Sequence, residues 1–347
     1  MTGLRSLGRS GLFVSPLTLG TMTFANTGWG STDAEAAAVL DAYLADGGNS
    51  VDTADVYAAG ASETLLGRLI AERGIRDQVV IATKYGFNAG GGPLTGGSGR
   101  LNQHRALEGS LRRLGTDHVD LYWLHVWDGI TPAEEVLDGM AALVRSGKIR
   151  HYGLSNVPAW FAVQVATLAQ AHREPGPIAL QLEYSLVARE IEREHVAAAA
   201  ALGLGIVPWS PLAGGFLTGK YRRHQARATG DGRLTGDNPF SDTKFTDANW
   251  AILDVVHQVA ADAGRTLAEI ALAWLLQRPG VDTVLVGART PAHLQAGRGA
   301  LDLVLPAQAT QRLNEASQPA PGLSTLFTPA MITAVIGGGT PIRPTVR

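Results

Sequence analysis

Lysine is scarce in this sequence, four residues beside twenty-five arginines, and one of the four stands in an unexpected place. Lys84 directly follows the apolar run Val-Val-Ile-Ala-Thr, whereas Lys148, Lys220 and Lys244 sit in segments rich in glycine or polar residues. An ammonium at the end of an apolar strand is costly unless an acid pairs with it. Asp52, which ends the preceding apolar run, is the obvious partner, and an ion pair of purely structural purpose would satisfy both groups. Tyr57, a few residues beyond Asp52, and His125, at the end of the next run, argue for chemistry instead. Together they make four groups able to transfer or polarise protons at successive run ends. Free tyrosine titrates near ~10, too high for a proton shuttle at neutral pH, and a nearby ammonium lowers that value by favouring the phenolate. Tyr57 beside Lys84 would then donate a proton to a developing alkoxide, and a neutral His125 would polarise a carbonyl oxygen through a hydrogen bond. The set has no hydride donor, so a cofactor has to supply one. A Schiff base on Lys84, as in an aldolase, is the other chemistry open to this lysine, and it gives Tyr57 and His125 less to do.

For these groups to meet, the runs that carry them have to lie side by side in one sheet. Eight short apolar or β-branched runs begin near Leu17, Gly48, Gln78, Val119, Ile149, Ile178, Leu204 and Asp282. The first seven recur every 26 to 41 residues or so, each followed by helical apolar spacing, which is the rhythm of βα units and a parallel sheet. Helix signals punctuate them: Thr32 before Asp33 to Ala45, and Thr131-Pro132 with Glu134 and Glu135 before a helix that stops at Gly147. Eight evenly spaced units predict a closed (β/α)8 barrel, with a doubly wound sheet as the competing arrangement. About 70 residues separate the seventh and eighth runs, and Gly214 to Phe245 reads there as a lid over a ligand or as a solvent loop. The glycine-rich stretch Gly86 to Gly99 lacks the Gly-Lys-Ser/Thr ending of a phosphate-binding loop and reads as a flexible substrate loop.

Composition narrows the classes further. The chain has 347 residues, a formal charge of −2, 45% hydrophobic and 17% charged residues, and no cysteine. Disulfides, thiolate zinc sites and cysteine nucleophiles are excluded, and no metal site is expected. Near-neutral charge without a basic block argues against nucleic-acid binding. No run reaches the roughly 18 apolar residues of a membrane span, so a soluble cytoplasmic protein is the expectation. Nothing in the sequence fixes an oligomeric state.

The run ends, taken together, resemble the aldo-keto reductase family. The matching pieces are Leu19-Gly20-Thr21-Met22, Asp52-Thr53-Ala54-Asp55-Val56-Tyr57, Ala82-Thr83-Lys84, Leu124-His125-Val126-Trp127-Asp128, Gly153-Leu154-Ser155-Asn156, Gln181, the segment from Trp209 to Gly215, and Gly287-Ala288-Arg289-Thr290-Pro291. They run in order from about Leu4 to Leu313, and Gly99 to Asn102 with the Leu-His-x-Trp-Asp pattern is most similar to bacterial long-barrel members. The resemblance implies a single (β/α)8 barrel over residues 1–318 and a tail over 319–347 that borders the substrate mouth or stays disordered. It also implies NADPH, with NADH less favoured, bound without a Rossmann fingerprint. Asp52, Tyr57, Lys84 and His125 would be the catalytic tetrad, with Tyr57 the general acid. Ser155, Asn156 and Gln181 would hold the carboxamide, and Trp209 would stack on the nicotinamide. Ser210, Leu212, Gly214 and Lys220 would take the pyrophosphate, and Lys220 and Arg289 the 2′-phosphate. Gly20, Thr21, Met22, Asp52, Pro211, Gly287 and His293 complete the implied cofactor contacts. The chain departs from the family at the adenine end, where His293 and Ala296-Gly297 replace the usual Gln or Arg and Glu-Asn. Met22, Phe24, Trp29, Phe87 and Trp127 lie just past run ends, as an aromatic-walled pocket or as caps on the core. The expected activity is reduction of a ketone or aldehyde of moderate size; the alternative is a nucleotide-binding regulatory subunit of the same fold with negligible turnover.

Overall fold

The computed structural model describes residues 3–26, 28–223, 233–235, 241–320 and 329–340. Each of the eight apolar runs becomes one strand of a single parallel sheet: β3 (Leu17–Gly20), β4 (Ser50–Asp52), β5 (Val80–Tyr85), β6 (Val119–Leu124), β7 (Ile149–Ser155), β8 (Ala179–Glu183), β9 (Gly205–Trp209) and β10 (Val284–Gly287). They are ordered β10-β3-β4-β5-β6-β7-β8-β9. The ring closes where Ile206 N–H donates to Gly280 O (2.8 Å) and Asp282 N–H to Ile206 O (3.1 Å). The fold is a (β/α)8 barrel. Before it come two very short strands, β1 (Arg5–Ser6) and β2 (Phe13–Val14), paired as an antiparallel hairpin that the apolar rhythm did not announce.

Helices α1 (Asp33–Ala45), α2 (Ala61–Arg73), α3 (Arg100–Leu114), α4 (Ala133–Arg145), α5 (Ala159–His172) and α6 (His195–Leu202) return the chain between strands. The long seventh interval holds α7 (Ser241–Lys244), α8 (Asp247–Ala263) and α9 (Leu267–Leu276), so much of it is helix rather than loop. Of the expected lid from Gly214 to Phe245, residues 224–232 and 236–240 lie outside the described residues. The described Leu234 packs inward, 2% exposed. Beyond β10 come α10 (Gln295–Leu301), α11 (Ala307–Ala316) and, in the tail, α12 (Pro329–Ile336), whose Met331, Ile332, Val335 and Ile336 are exposed. Among the described residues no helix is long and apolar enough to cross a membrane.

Caps fall where the sequence signals them. Thr32 and Glu35 form a reciprocal capping box at α1, and Pro132 precedes α4 with Glu134 and Glu135 in its first turn.

Strand parity sorts the side chains. Val51, Ile81, Tyr122, Leu154, Leu180 and Val284 point outward into the large core shared with the helices. Ala82, Leu121, Trp123, Ala179, Val207 and Leu285 point into the barrel, where Leu7 and Val14 from the hairpin fill its base. The inward positions one step further along β4, β5, β7 and β8 are Asp52, Lys84, Ser155 and Gln181. The same two-residue period that buries the barrel's interior therefore delivers polar groups to its carboxyl rim.

Candidate active site

Lys84 is fully buried, and its ammonium donates to the Asp52 carboxylate, to Thr53 O (2.7 Å) and to Tyr57 Oη (3.2 Å). Its three protons are thus all used. Burial alone would lower this ammonium, but the Asp52 carboxylate and Tyr57 outweigh burial and hold Lys84 above its ordinary value. Asp52 Oδ2 accepts from Gln181 Nε2 at 3.0 Å, so Gln181 serves the ion pair directly. His125, at the end of β6, meets Tyr57 edge-on with ring centroids 5.9 Å apart. Burial, then the charge of Lys84, pushes its imidazole down to about 2, leaving it neutral. Its Nδ1 is buried without a partner among the described residues. The four expected catalytic groups are therefore brought together.

Tyr57 reaches this cluster on a tight turn in which Ala58 and Ala59 have left-handed φ of 48° and 53°. Such residues cost about 1–3 kcal/mol each and need surroundings that enforce them. Gly60 follows at φ +90°, and a Cβ there would lie 2.8 Å from Arg113 Cδ. Arg113 Nε donates to Glu63 Oε2 (2.6 Å), and the other Glu63 oxygen accepts from Thr83, the neighbour of Lys84. One partly buried ion pair thus braces both the Tyr57 turn and the strand end that carries Lys84. Asp55 completes the group, and burial, reinforced by Glu63, raises its carboxyl to about 7. Glu63 and Arg113 carry no local pattern that marks them in sequence, and Asp55 stands in a matching piece without a role of its own.

The expected cofactor residues line the rim beyond. Asn156, at φ 50°, donates to His125 O (2.9 Å) and Ser155 Oγ (3.0 Å) and accepts from Trp209 Nε1 (3.1 Å). Thr21 is buried: its N–H and hydroxyl both donate to Asp52 O, so it holds β4 rather than offering a side chain. Gly20 and Gly287 sit side by side at strand ends, and a Cβ on Gly287 would meet nothing within 4 Å. After β9 the chain passes through Ser210 at φ 54°, buried Pro211 and half-buried Leu212, and Ser210 Oγ accepts from Gly214 N (3.2 Å). Gly214 and Gly215 are left-handed at φ 65° and 92°, and a Cβ on Gly215 would press on Lys220 Cε at 2.6 Å. Lys220 and His293 are both held below their ordinary values, by burial first and then by Arg289. Lys220 and Arg289 therefore set one positive field, which keeps the neighbouring His293 neutral. His293 Nδ1 is occupied, accepting from the N–H groups of Arg289 (3.2 Å) and Thr290 (3.3 Å). Arg233, from the long interval, adds a guanidinium 6.0 Å over the Trp29 ring, which the sequence did not single out. At the expected adenine end, a Cβ on Gly297 would stand 2.8 Å from Leu17 Cδ1, the movable tip of a side chain.

The aromatic residues divide. Phe87 lies edge-on to His125 at 4.7 Å and is 43% exposed, as a pocket wall would be. Met22 and Trp29 are half-buried at the rim. Trp127 turns outward, stacking on Phe161 at 5.0 Å and meeting Trp160 at 5.1 Å. Phe24 is a correction to the pocket reading: it is fully buried in the core shared with the helices, because the chain folds back in a bridge to Ser31 and seals it in.

Residues 16–318 match the profile of the Aldo/keto reductase family. An uncharacterized oxidoreductase of Bacillus subtilis is 36% identical over 328 residues, 91% of this chain and 96% of that protein. A probable voltage-gated potassium channel subunit beta of Oryza sativa is 34% identical over 304 residues, 86% of this chain and 91% of that protein. The aryl-alcohol dehydrogenase [NADP(+)] of Phanerodontia chrysosporium is 30% identical over 320 residues, 88% of this chain and 83% of that protein.

Proposed function

The chain belongs to the aldo/keto reductase family, and we propose that it reduces a ketone or aldehyde of moderate size with NADPH, Tyr57 serving as the general acid. The observation that carries this reading is the Lys84 ammonium bonded at once to Asp52 and to the Tyr57 hydroxyl, in the pocket that His125 shares. Neutral His125 donates a hydrogen bond to the substrate carbonyl and fixes its oxygen. Tyr57 gives its proton to that oxygen as negative charge develops on it, and Lys84, 3.2 Å away, stabilises the phenolate left behind. Asp52 keeps Lys84 charged and in place. When bound, the nicotinamide supplies the hydride.

The residues present fit such a cofactor. Gly214 and Gly215 turn the chain at left-handed φ after β9, and Lys220 and Arg289 lie close enough to lower Lys220, a strain that an anion would relieve. We assign the pyrophosphate to Ser210 through Gly214 with Lys220, and the 2′-phosphate to Arg289 with Lys220. Ser155, Asn156 and Trp209 would orient the nicotinamide. On this assignment, Arg289→Ala raises the Michaelis constant for NADPH by roughly tenfold and leaves that for NADH nearly unchanged; equal changes would remove Arg289 from the 2′-phosphate.

A second reading, a regulatory nucleotide-binding subunit with negligible turnover, draws on the likeness to the rice channel subunit. Oxidation of NADPH by the purified protein with aldehydes, diketones and keto sugars separates the two. Steady turnover supports the reductase, and none with any carbonyl supports the subunit.

A further inference from the structure

We propose that Asp128 is a specificity-determining positioning residue, latching the loop that carries Phe87 onto the loop that carries His125 and so fixing one wall of the carbonyl pocket. The inference rests on the carbonyl reductase reading above. Residues 86–97 include Gly86, Gly90, Gly91, Gly92, Gly96 and Gly97, a composition with little conformational preference of its own. Such a loop keeps one shape only if its neck is held from outside. The neck closes through Gly97 N–H to Gly86 O (2.8 Å), and Asp128 fastens it to the barrel.

Its Oδ2 accepts from Ser98 N (2.8 Å) and Thr131 Oγ1 (2.7 Å), and its Oδ1 from Ile130 N (2.9 Å) and Thr131 N (2.8 Å). The tie is reciprocal, since Asp128 N–H donates to Ser98 Oγ (3.1 Å) and that hydroxyl donates to Val126 O (3.4 Å). Burial would raise the Asp128 carboxyl, but the bonds from Ser98, Thr131 and Ile130 outweigh it and bring the group down to about 2. The latch is therefore charged throughout the range in which an enzyme works. The glycines on either side leave room for it: a Cβ on Gly97 would lie 3.2 Å from Asp128 Oδ2, and one on Gly86 3.2 Å from Val126 O. Phe87 is the first residue beyond this neck, and its ring meets His125 at 4.7 Å. Asp128 itself is exposed and stays outside the pocket, so it acts only through the neck.

The test compares the wild type with Asp128→Asn, Phe87→Ala and the double variant, using a small aldehyde and a bulky aryl ketone. Asparagine keeps the size of the side chain but turns an amide donor toward the donors it should accept from. Asp128→Asn is expected to raise the Michaelis constant for the aryl ketone about fivefold, the value of one lost bond, while kcat for the small aldehyde is unchanged. Phe87→Ala is expected to raise the aryl ketone constant likewise, and the double variant to add nothing. Amide hydrogen exchange over 87–97 should quicken in Asp128→Asn while that of α3 does not. Additive effects of the two substitutions, equal losses with both substrates, or unaltered loop exchange would overturn the proposal alone. No turnover of either carbonyl by the wild type would instead overturn the reductase reading, and the specificity role with it.

Discussion

The two ends of the barrel are built by the same strands, yet their polar groups face different things. At the base, Thr18 bonds Ser50 (2.7 Å) and Thr283 (2.8 Å), Ser15 bonds Tyr43 (2.7 Å), and Asp282 accepts from Gly8 N (2.7 Å) in the hairpin that seals the end. None of these side-chain atoms is left buried without a partner. At the rim, Lys84 is saturated, but among the described residues His125 Nδ1 and Asp55 Oδ1 have no partner. These base contacts close on themselves, whereas two rim groups each keep a buried polar atom that no described residue satisfies. The rim also holds most of the left-handed non-glycine residues described, among them Ala58, Ala59, Asn156, Ser210 and Ala213, while Arg173 caps α5 at the other end.

If the division is real, variants at the two ends should fail differently. Lys84→Met is where it should break down most, because the lysine is both catalytic support and half of a buried ion pair. We expect kcat to fall about 10³-fold and stability by about 3–5 kcal/mol, read from kinetics and denaturant melts of the same sample. At the base, Leu121→Ala removes buried side-chain volume inside the barrel and should cost about 2–5 kcal/mol while kcat stays within about twofold. A large loss of kcat there would erase the distinction between the ends.

Asp55 gives the smallest and most selective effect. Its folded-state carboxyl is raised from 3.8 to about 7. Between those values the folded chain binds a proton that the unfolded chain has lost, so this contribution to stability is full below about pH 4 and fades as pH rises through 7. The thermal midpoint of the wild type should therefore drop relative to Asp55→Asn between pH 5 and pH 8, by an amount equivalent to roughly 2 kcal/mol. A constant difference across that range would mean that Asp55 is ionised throughout.

What the sequence discloses about these ends follows from the range of each signal. Lys84 is visible because a charge directly after Val-Val-Ile-Ala-Thr is anomalous within six residues, and the rim positions follow from a two-residue period. Helix α1 is likewise legible from Thr32, whose partner Glu35 the fold then supplies. The brace beneath Tyr57 is not, since Arg113 and Glu63 lie fifty positions apart on different helices and leave no periodic trace. Gln181 reads as a cofactor ligand by family pattern, but its bond to Asp52 spans 129 positions and becomes visible only in the closed ring. Phe24 and Phe87 look alike in sequence, each an aromatic residue shortly after a strand. Only the fold-back at Ser31 buries the first, while the latched glycine loop keeps the second beside His125. The hairpin escapes notice because two residues per strand are too few for alternation to register.

On the proposed mechanism, the rim cluster transfers a proton from Tyr57 to a carbonyl oxygen. Tyr57→Phe deletes the hydroxyl bonded to Lys84 and leaves the ring against His125. The decisive measurement is carbonyl reduction by this variant at saturating NADPH, alongside NADPH binding followed by protein fluorescence. Undiminished NADPH binding with reduction below about one per cent of the wild-type rate is expected. Reduction at the wild-type rate would contradict that mechanism.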